Sequence, residues 1–370
     1  MASCHICGQD SLADVSIPET LKTVTSDCKP WKEHLRLTKC QQCGQVQTPV
    51  NQRWRSSATE IYSRYESYFQ SAIKDQLIFE GASVKSRTSR FCESVLRVTG
   101  LAQGASILDY GCGSGNVTKS FKQLRPDLVI DAFDLTSDVV RDEVIASQLR
   151  DFYVGELPRE CRYDLIILSH SLEHIDNPCS ILRKLKRHLT ELGQIAVAVP
   201  NCETDPIKLL VADHCTHFNQ PALEYLLKSC GMATLDLGSA GSSREVLLLA
   251  SPMKGSQIDC VDHDWVNLSV ERISRAKRLL EDCCQQYKSV AVFGTSIAGA
   301  WVISEFPDVV ALFIDEDLSR QGQVFNGYEI VAPTKVPLDL KIVIPFIGVA
   351  DLALVNRLIT HFGRLRCQLL

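Results

Sequence analysis

The chain has 370 residues, 45% hydrophobic, 22% charged and 7% aromatic, which excludes disorder or collagen-like repetition as the dominant state. Its 39 basic and 44 acidic side chains leave a net charge of −5, so there is no bulk positive field and nucleic acid is not an expected partner. No apolar run approaches the roughly 18 residues of a membrane span. The start, Met1-Ala2-Ser3-Cys4-His5, lacks the basic and apolar regions of a signal peptide, so a cytoplasmic location without a membrane partner is expected. The length suggests two or three domains.

Sixteen cysteines are many for this length. Without a secretion signal a disulfide framework explains them poorly, and most sit singly in apolar stretches, as Cys92, Cys230 and Cys283 do, where a free thiol acts as a small hydrophobe. Four are arranged differently. Cys4-His5-Ile6-Cys7 and Cys40-Gln41-Gln42-Cys43 are both C-x2-C pairs, followed by Gly8 and Gly44. Two residues between thiolates let one tight turn aim both sulfurs at a single ion, and the glycine allows positive φ where the backbone wraps around it. Four thiolates suit tetrahedral Zn2+, and a closed Cys4 site leaves no open position, so the expected ion is structural. The enclosed segment is too short for a large core, and metal binding would supply much of its folding free energy. Cys28 lies between the pairs without a matching partner.

The next motif is Ile107-Leu108-Asp109-Tyr110-Gly111-Cys112-Gly113-Ser114-Gly115, an apolar strand entering a glycine-rich turn, with helical spacing from Val117 to Leu124. Such a turn is where a doubly wound sheet binds its ligand. It is not a G-x-x-x-x-G-K-[ST] phosphate loop. The D-x-G-x-G-x-G spacing resembles motif I of class I S-adenosylmethionine (SAM) methyltransferases. A carboxylate there suits a ligand with an ammonium and a sulfonium better than a pyrophosphate. Val129 to Asp134 reads as the next strand, and an acid at its end can take both ribose hydroxyls. Tyr163 to Leu168 is a buried strand running into Ser169-His170-Ser171-Leu172-Glu173-His174, which resembles the "LEH…P" segment beside the methyl donor in this superfamily. Gly155-Glu156 precedes it, where the family often has an acid near the adenine. The resemblance implies SAM as cofactor, held by Asp109, Gly111, Gly113, Gly115, Asp134, Leu135, Glu156 and Ser169. Gln194 to Asn201 and Arg244 to Ala250 resemble the later strands, and Asn219 is a fitting N-cap for a helix over 221–230.

Further on, residues 270–285 predict an amphipathic helix, and Val290 to Phe293, Val309 to Ile314 and Lys341 to Phe346 predict strands of a second α/β unit. Its loop, Gly294-Thr295-Ser296-Ile297-Ala298-Gly299, is an incomplete dinucleotide fingerprint, so an independently bound NAD is not the expected ligand. With Phe313-Ile314-Asp315-Glu316-Asp317, Arg320-Gln321-Gly322 and Val331-Ala332-Pro333, the whole chain resembles the three-part sugar C-methyltransferases. The implied fold is α/β: a zinc-binding N-terminal domain and linker (1–69), a Rossmann-like class I methyltransferase domain (70–252), and a C-terminal Rossmann-like substrate-binding domain (253–370). The implied acceptor is a nucleotide-linked deoxysugar between the second and third domains.

Methylating carbon requires alignment with the donor, removal of a proton beside a carbonyl, and stabilisation of the enolate. The family places a Glu-His pair before its penultimate helix, and Asp213-His214 stands at that place. The resemblance makes His214 the general base and Asp213 the group that orients it. It also makes Tyr65 and Tyr68, in the series Tyr62, Tyr65, Tyr68, contacts to enolate or substrate. The family's tyrosine two residues before the acid is Val211 here, and its later aromatic is His217. An O- or N-methyltransferase acting on a glycan or secondary metabolite is therefore the alternative, and a non-catalytic SAM-binding assembly protein the third reading. The oligomeric state is not legible.

Overall fold

The computed structural model describes residues 3–64, 77–80, 83–136, 142–238, 244–253, 264–348 and 352–370. Among the described residues no helix is long and apolar enough to cross a membrane. Tyr65 and Tyr68, and the expected boundary at 69/70, lie outside them.

Among the described residues there are five sheets, of which the three largest organise the chain. In the N-terminal part β1 (Leu12–Val15), β2 (Leu37–Cys40) and β3 (Val46–Gln47) form an antiparallel sheet. Its fourth strand comes from far along the sequence: Thr216 pairs with Gln47 and His217 with Val46. Helix α1 (Gln52–Ser63) follows, with the Asn51 side chain accepting from the Trp54 N–H at 3.0 Å, a satisfied N-cap.

The central part begins with α2 (Arg87–Thr99), ended by Gly100 in the left-handed conformation. Then come β4 (Ser106–Tyr110), α3 (Asn116–Leu124), β5 (Val129–Asp134), β6 (Phe152–Val154), β7 (Tyr163–Ser169), α4 (Pro178–Lys186), β8 (Leu189–Pro200), β9 (Thr216–His217), α5 (Gln220–Ser229), β10 (Met232–Asp236) and β11 (Glu245–Pro252). Except for β9, these strands make one seven-stranded sheet in the order β6-β5-β4-β7-β8-β11-β10. The first five are mutually parallel, and β11 runs antiparallel to both β8 and β10. Buried on both faces, the parallel strands read as apolar runs such as Leu165–Leu168, all fully buried. Strand order reverses between β4 and β7, which places a crevice at their carboxyl ends.

The C-terminal part contains α6 (Trp265–Gln286), β12 (Val290–Phe293), α7 (Ile297–Glu305), β13 (Val310–Ile314), β14 (Val324–Phe325), β15 (Tyr328–Val331), β16 (Lys341–Ile344), α8 (Leu352–Phe362) and β17 (Cys367–Leu369). Its sheet has the order β14-β15-β13-β12-β16-β17, parallel apart from the β14–β15 hairpin. The three parts do not have separate interiors. One apolar cluster contains Leu21, Val24 and Leu37, then Cys202, Ile207 and Leu210, then Ile273, Trp301 and Phe313. The short N-terminal segment buries its apolar side chains against both neighbours, which a segment of that size cannot do alone.

Candidate active site

The crevice between β4 and β7 is built by the glycine-rich turn. Gly111 and Cys112 donate backbone N–H bonds to the Phe133 carbonyl at 2.8 and 3.2 Å, tying the turn to the end of β5. Gly111 has φ +75°, and a Cβ there would lie 2.7 Å from the Ser171 Cβ, so only glycine lets the turn pass beneath the segment after β7. Gly115 caps α3 with positive φ. Asp109 is buried and accepts from the Thr118 hydroxyl at 3.0 Å. Burial pushes its carboxyl up to about 7 against the Thr118 hydrogen bonds, with the charge of Asp134 adding to the rise. Asp134 accepts from the Gly113 N–H at 2.9 Å and the Leu135 N–H at 2.7 Å. The two acids thus end neighbouring parallel strands on either side of the turn. Tyr110 and Phe133 stack beside them, ring centres 4.4 Å apart. Ser169 ends β7 half-buried, while Leu135 (80% exposed) and Glu156 are open at the rim. A buried carboxylate able to pair with an ammonium, and a second able to accept from hydroxyls, fit an amino-acid nucleoside such as SAM.

The segment after β7 leads from this crevice into a histidine cluster. His170 adopts φ 52°, unusual for a residue with a Cβ, and its ring lies between two carboxylates. Its Nε2 contacts Glu245, and its Nδ1 is 3.4 Å from Glu173 Oε1. Burial and Arg87 act to lower the His170 pKa, but Glu245 and Glu173 outweigh them and raise it. Glu245 is held down to about 2: burial opposes this, and Arg87 and His170 overcome it. His174 stands edge-on to His214, ring centres 4.7 Å apart. Its Nδ1 lies 3.1 Å from the Asp213 carbonyl and 2.8 Å from the Tyr62 hydroxyl. His214 is buried, and burial, with the neighbouring His174 and His217, drives its pKa well below the ordinary value, so it is a neutral imidazole at pH 7.

The structure corrects one expectation here. Asp213 does not orient His214. Its carboxylate accepts from the Ser26 N–H at 2.8 Å and the Ser26 hydroxyl at 2.5 Å, and it lies 3.5 Å from His174 Nδ1. Asp213 therefore fixes His174 and pins an N-terminal turn to the central domain. His217 points elsewhere: its Nε2 meets the Thr48 hydroxyl at 3.1 Å. Tyr62, three and six residues before the tyrosines singled out from the sequence, is the one seen to reach the cluster; the spacing gave it the same standing as the others. Ser26 carried no sequence signal beyond its type, and Glu173 was legible only as part of the Leu172-Glu173-His174 motif, without a role of its own.

Cys4, Cys7, Cys40 and Cys43 converge, their sulfurs all within 4.8 Å of one another. Cys4 and Cys43 are 3.5 Å apart, Cys7 and Cys40 3.6 Å. Gly8 and Gly44 have φ +74° and +73°, and their N–H groups close each turn on the Cys4 and Cys40 carbonyls. This donor set fits one tetrahedral thiolate-bound ion. Cys28 is not part of it; its thiol is buried and its pKa pushed up to about 12 by burial. In the C-terminal loop Asp315 is occupied within the protein: Thr295 donates from its N–H and hydroxyl, and Arg320 from its guanidinium at 3.2 Å.

Residues 84–237 match the family model described as a methyltransferase domain. A curated relative, the mitochondrial ubiquinone biosynthesis O-methyltransferase of Saccharomyces cerevisiae, is 30% identical over 86 residues, 21% of this chain and 28% of that relative. The chain thus matches little more than a quarter of the relative's length. Among solved structures, a SAM-dependent methyltransferase of Clostridium acetobutylicum covers 54% of this chain and 99% of its own, at 15% identity and a TM-score of 0.39. Human N-acetylserotonin methyltransferase covers 44% and 52%, at 23% identity and a TM-score of 0.36. With its sheet order, its glycine turn at the switch point and the family match over 84–237, the central part of the chain is a class I methyltransferase domain of Rossmann-like α/β fold.

Proposed function

We propose that the chain is a SAM-dependent methyltransferase acting on carbon beside the carbonyl of a nucleotide-linked keto-sugar. The observation that carries the first half is the placing of Asp109 and Asp134 about the glycine turn at the switch point. SAM supplies an electrophilic methyl on a sulfonium; the chain's own residues hold it and prepare the acceptor. Asp109 takes the ammonium, which returns its raised carboxyl to the charged form, and Asp134 takes the ribose hydroxyls.

The second half rests on the histidine cluster adjoining the donor crevice. Ser171 touches the glycine turn, its hydroxyl donating to the Tyr110 carbonyl at 3.3 Å, and His174 follows three residues on. His214, neutral and buried, would take the proton from the acceptor, and the resulting enolate carbon would displace S-adenosylhomocysteine from the methyl of bound SAM, the sulfur–methyl bond breaking as the carbon–carbon bond forms. Tyr62, and beyond the described residues Tyr65 and Tyr68, are the candidates to stabilise that enolate. The Cys4 cluster holds a structural zinc, and the acceptor lies between the central and C-terminal parts. The test is incubation with methyl-labelled SAM and nucleotide-linked keto-sugars. Label in a new carbon–carbon bond is the expected result. Label on oxygen alone would move the reading to an O-methyltransferase, which the weak basicity of His214 favours. Undetectable SAM binding by calorimetry would end both.

A further inference from the structure

If Asp213 does not serve His214, another group must settle which ring nitrogen of His214 carries the proton. A neutral imidazole has one N–H and one lone pair, and a base needs the lone pair on the side of the acceptor. Glu173 is the group so placed. It is 2% exposed, and its Oε2 is buried with no hydrogen-bond partner among the described residues. Its Oε1 lies 3.4 Å from His170 Nδ1, and His170 in turn contacts Glu245. One Glu173 carboxylate oxygen, one His174 ring nitrogen and one His214 ring nitrogen all lie within 4.8 Å of one another. His174 already engages its Nδ1 with the Asp213 carbonyl at 3.1 Å and the Tyr62 hydroxyl at 2.8 Å. Neither ring nitrogen of His214 is hydrogen-bonded among the described residues. A buried carboxylate with one unpartnered oxygen among the described residues thus stands within 4.8 Å of a His214 ring nitrogen.

Resting on the reading of His214 as base, we propose that Glu173 is its positioning carboxylate: on acceptor binding it accepts the His214 N–H and leaves the opposite nitrogen to receive the acceptor's proton. Catalytic hydrogen bonds are commonly long before substrate closes a site. The groups whose charge bears on His214 are His174, His217, Lys208 and His170, all of which disfavour its protonation, and the neighbouring Asp213 has its carboxylate taken by Ser26. Glu173 is the carboxylate left to favour the imidazolium formed in the reaction.

The experiment has two arms. In Glu173→Gln, kcat should fall about 100-fold or more with KM little changed, and the acidic limb of the pH profile should move to lower pH, because a base without its carboxylate is weaker. Glu173→Asp should recover part of the rate and the limb's position. A profile and plateau equal to the parent's would overturn the proposal. The second arm needs no turnover. 15N NMR of the histidine-labelled parent with S-adenosylhomocysteine and a nucleotide-linked keto-sugar should show one dominant His214 tautomer, and Glu173→Ala a mixed or inverted one. Should that variant not fold, His170→Gln, which removes the His170 contact with Glu173, should mix the tautomers instead; an unchanged tautomer in the folded variant overturns the idea. Failure of the parent to methylate any keto-sugar, with the tautomer effect present, would remove the acceptor assignment and leave this pairing standing.

Discussion

His217 shows what burying an imidazole without a full set of partners does. Its Nε2 meets Thr48, while its Nδ1 is buried with no partner among the described residues. Burial, helped by His5, pushes its pKa down from the ordinary 6.5 to about 3. The unfolded chain takes up a proton at about 6.5 and the folded chain does not until about 3, so between these values the unfolded state binds more protons. Stability is therefore complete above the upper value and falls as pH drops through that window, by up to about 1.4 kcal/mol per pH unit from this one group. His217→Gln keeps a polar side chain beside Thr48 and abolishes the proton uptake. Its denaturation midpoint should fall less between pH 7 and pH 4.5 than the parent's. Equal falls would assign the acid sensitivity to other groups.

At the scale of the element, β9 joins the cysteine cluster to the histidine cluster. It completes the sheet that carries Cys40, and it follows His214 by one residue. The Thr48 hydroxyl donates to the His214 carbonyl at 3.1 Å, and the Gln45 side chain to the His217 carbonyl at 2.9 Å. Opening the two cysteine turns should loosen this strand and the histidine beside it. After chelation, or in Cys40→Ser, hydrogen exchange across 46–48 and 214–217 should quicken at least tenfold, while SAM affinity stays within about twofold because β4, α3 and β5 share no strand with that sheet. Unchanged exchange would make the cysteine cluster a local staple only. The same strand marks the limit of what the sequence told. The strand–glycine–helix turn with Asp109 and Asp134 was legible because its residues are close along the chain and its geometry is local. The C-x2-C pairs were legible because each is a single turn. The partner of Asp213 was not: Ser26 lies 187 positions away, and a DH dipeptide looks the same whichever side chain the acid serves. Glu173 was hidden likewise, since its nearness to His214 comes from the sheet bringing the ends of β7 and the 211–219 segment together.

The whole molecule departs from three independent domains in its interior. Trp301, on α7, is fully buried in a cluster that also includes Val24 from the N-terminal part and Leu210 from the central part. The C-terminal sheet is seated on the central part without clearance: at Gly348 (φ +118°) a Cβ would lie 2.2 Å from the Thr204 carbonyl oxygen and 2.7 Å from Pro206 Cδ. Asn326 reaches the N-terminal part, its side chain donating to the Cys28 carbonyl at 2.8 Å. Units that share apolar side chains lose them together, because opening one exposes the faces of the others. Trp301→Ala should cost about 3–5 kcal/mol, the usual range for deleting a buried indole. If the interior is common, that cost appears in every probe. The midpoint read by far-UV dichroism and the midpoint for release of S-adenosylhomocysteine from the central crevice should fall in step, although Trp301 lies outside that crevice. A variant that unfolds in two stages, its central crevice holding ligand up to the parent's midpoint, would show that the shared cluster is mere contact between separately stable domains.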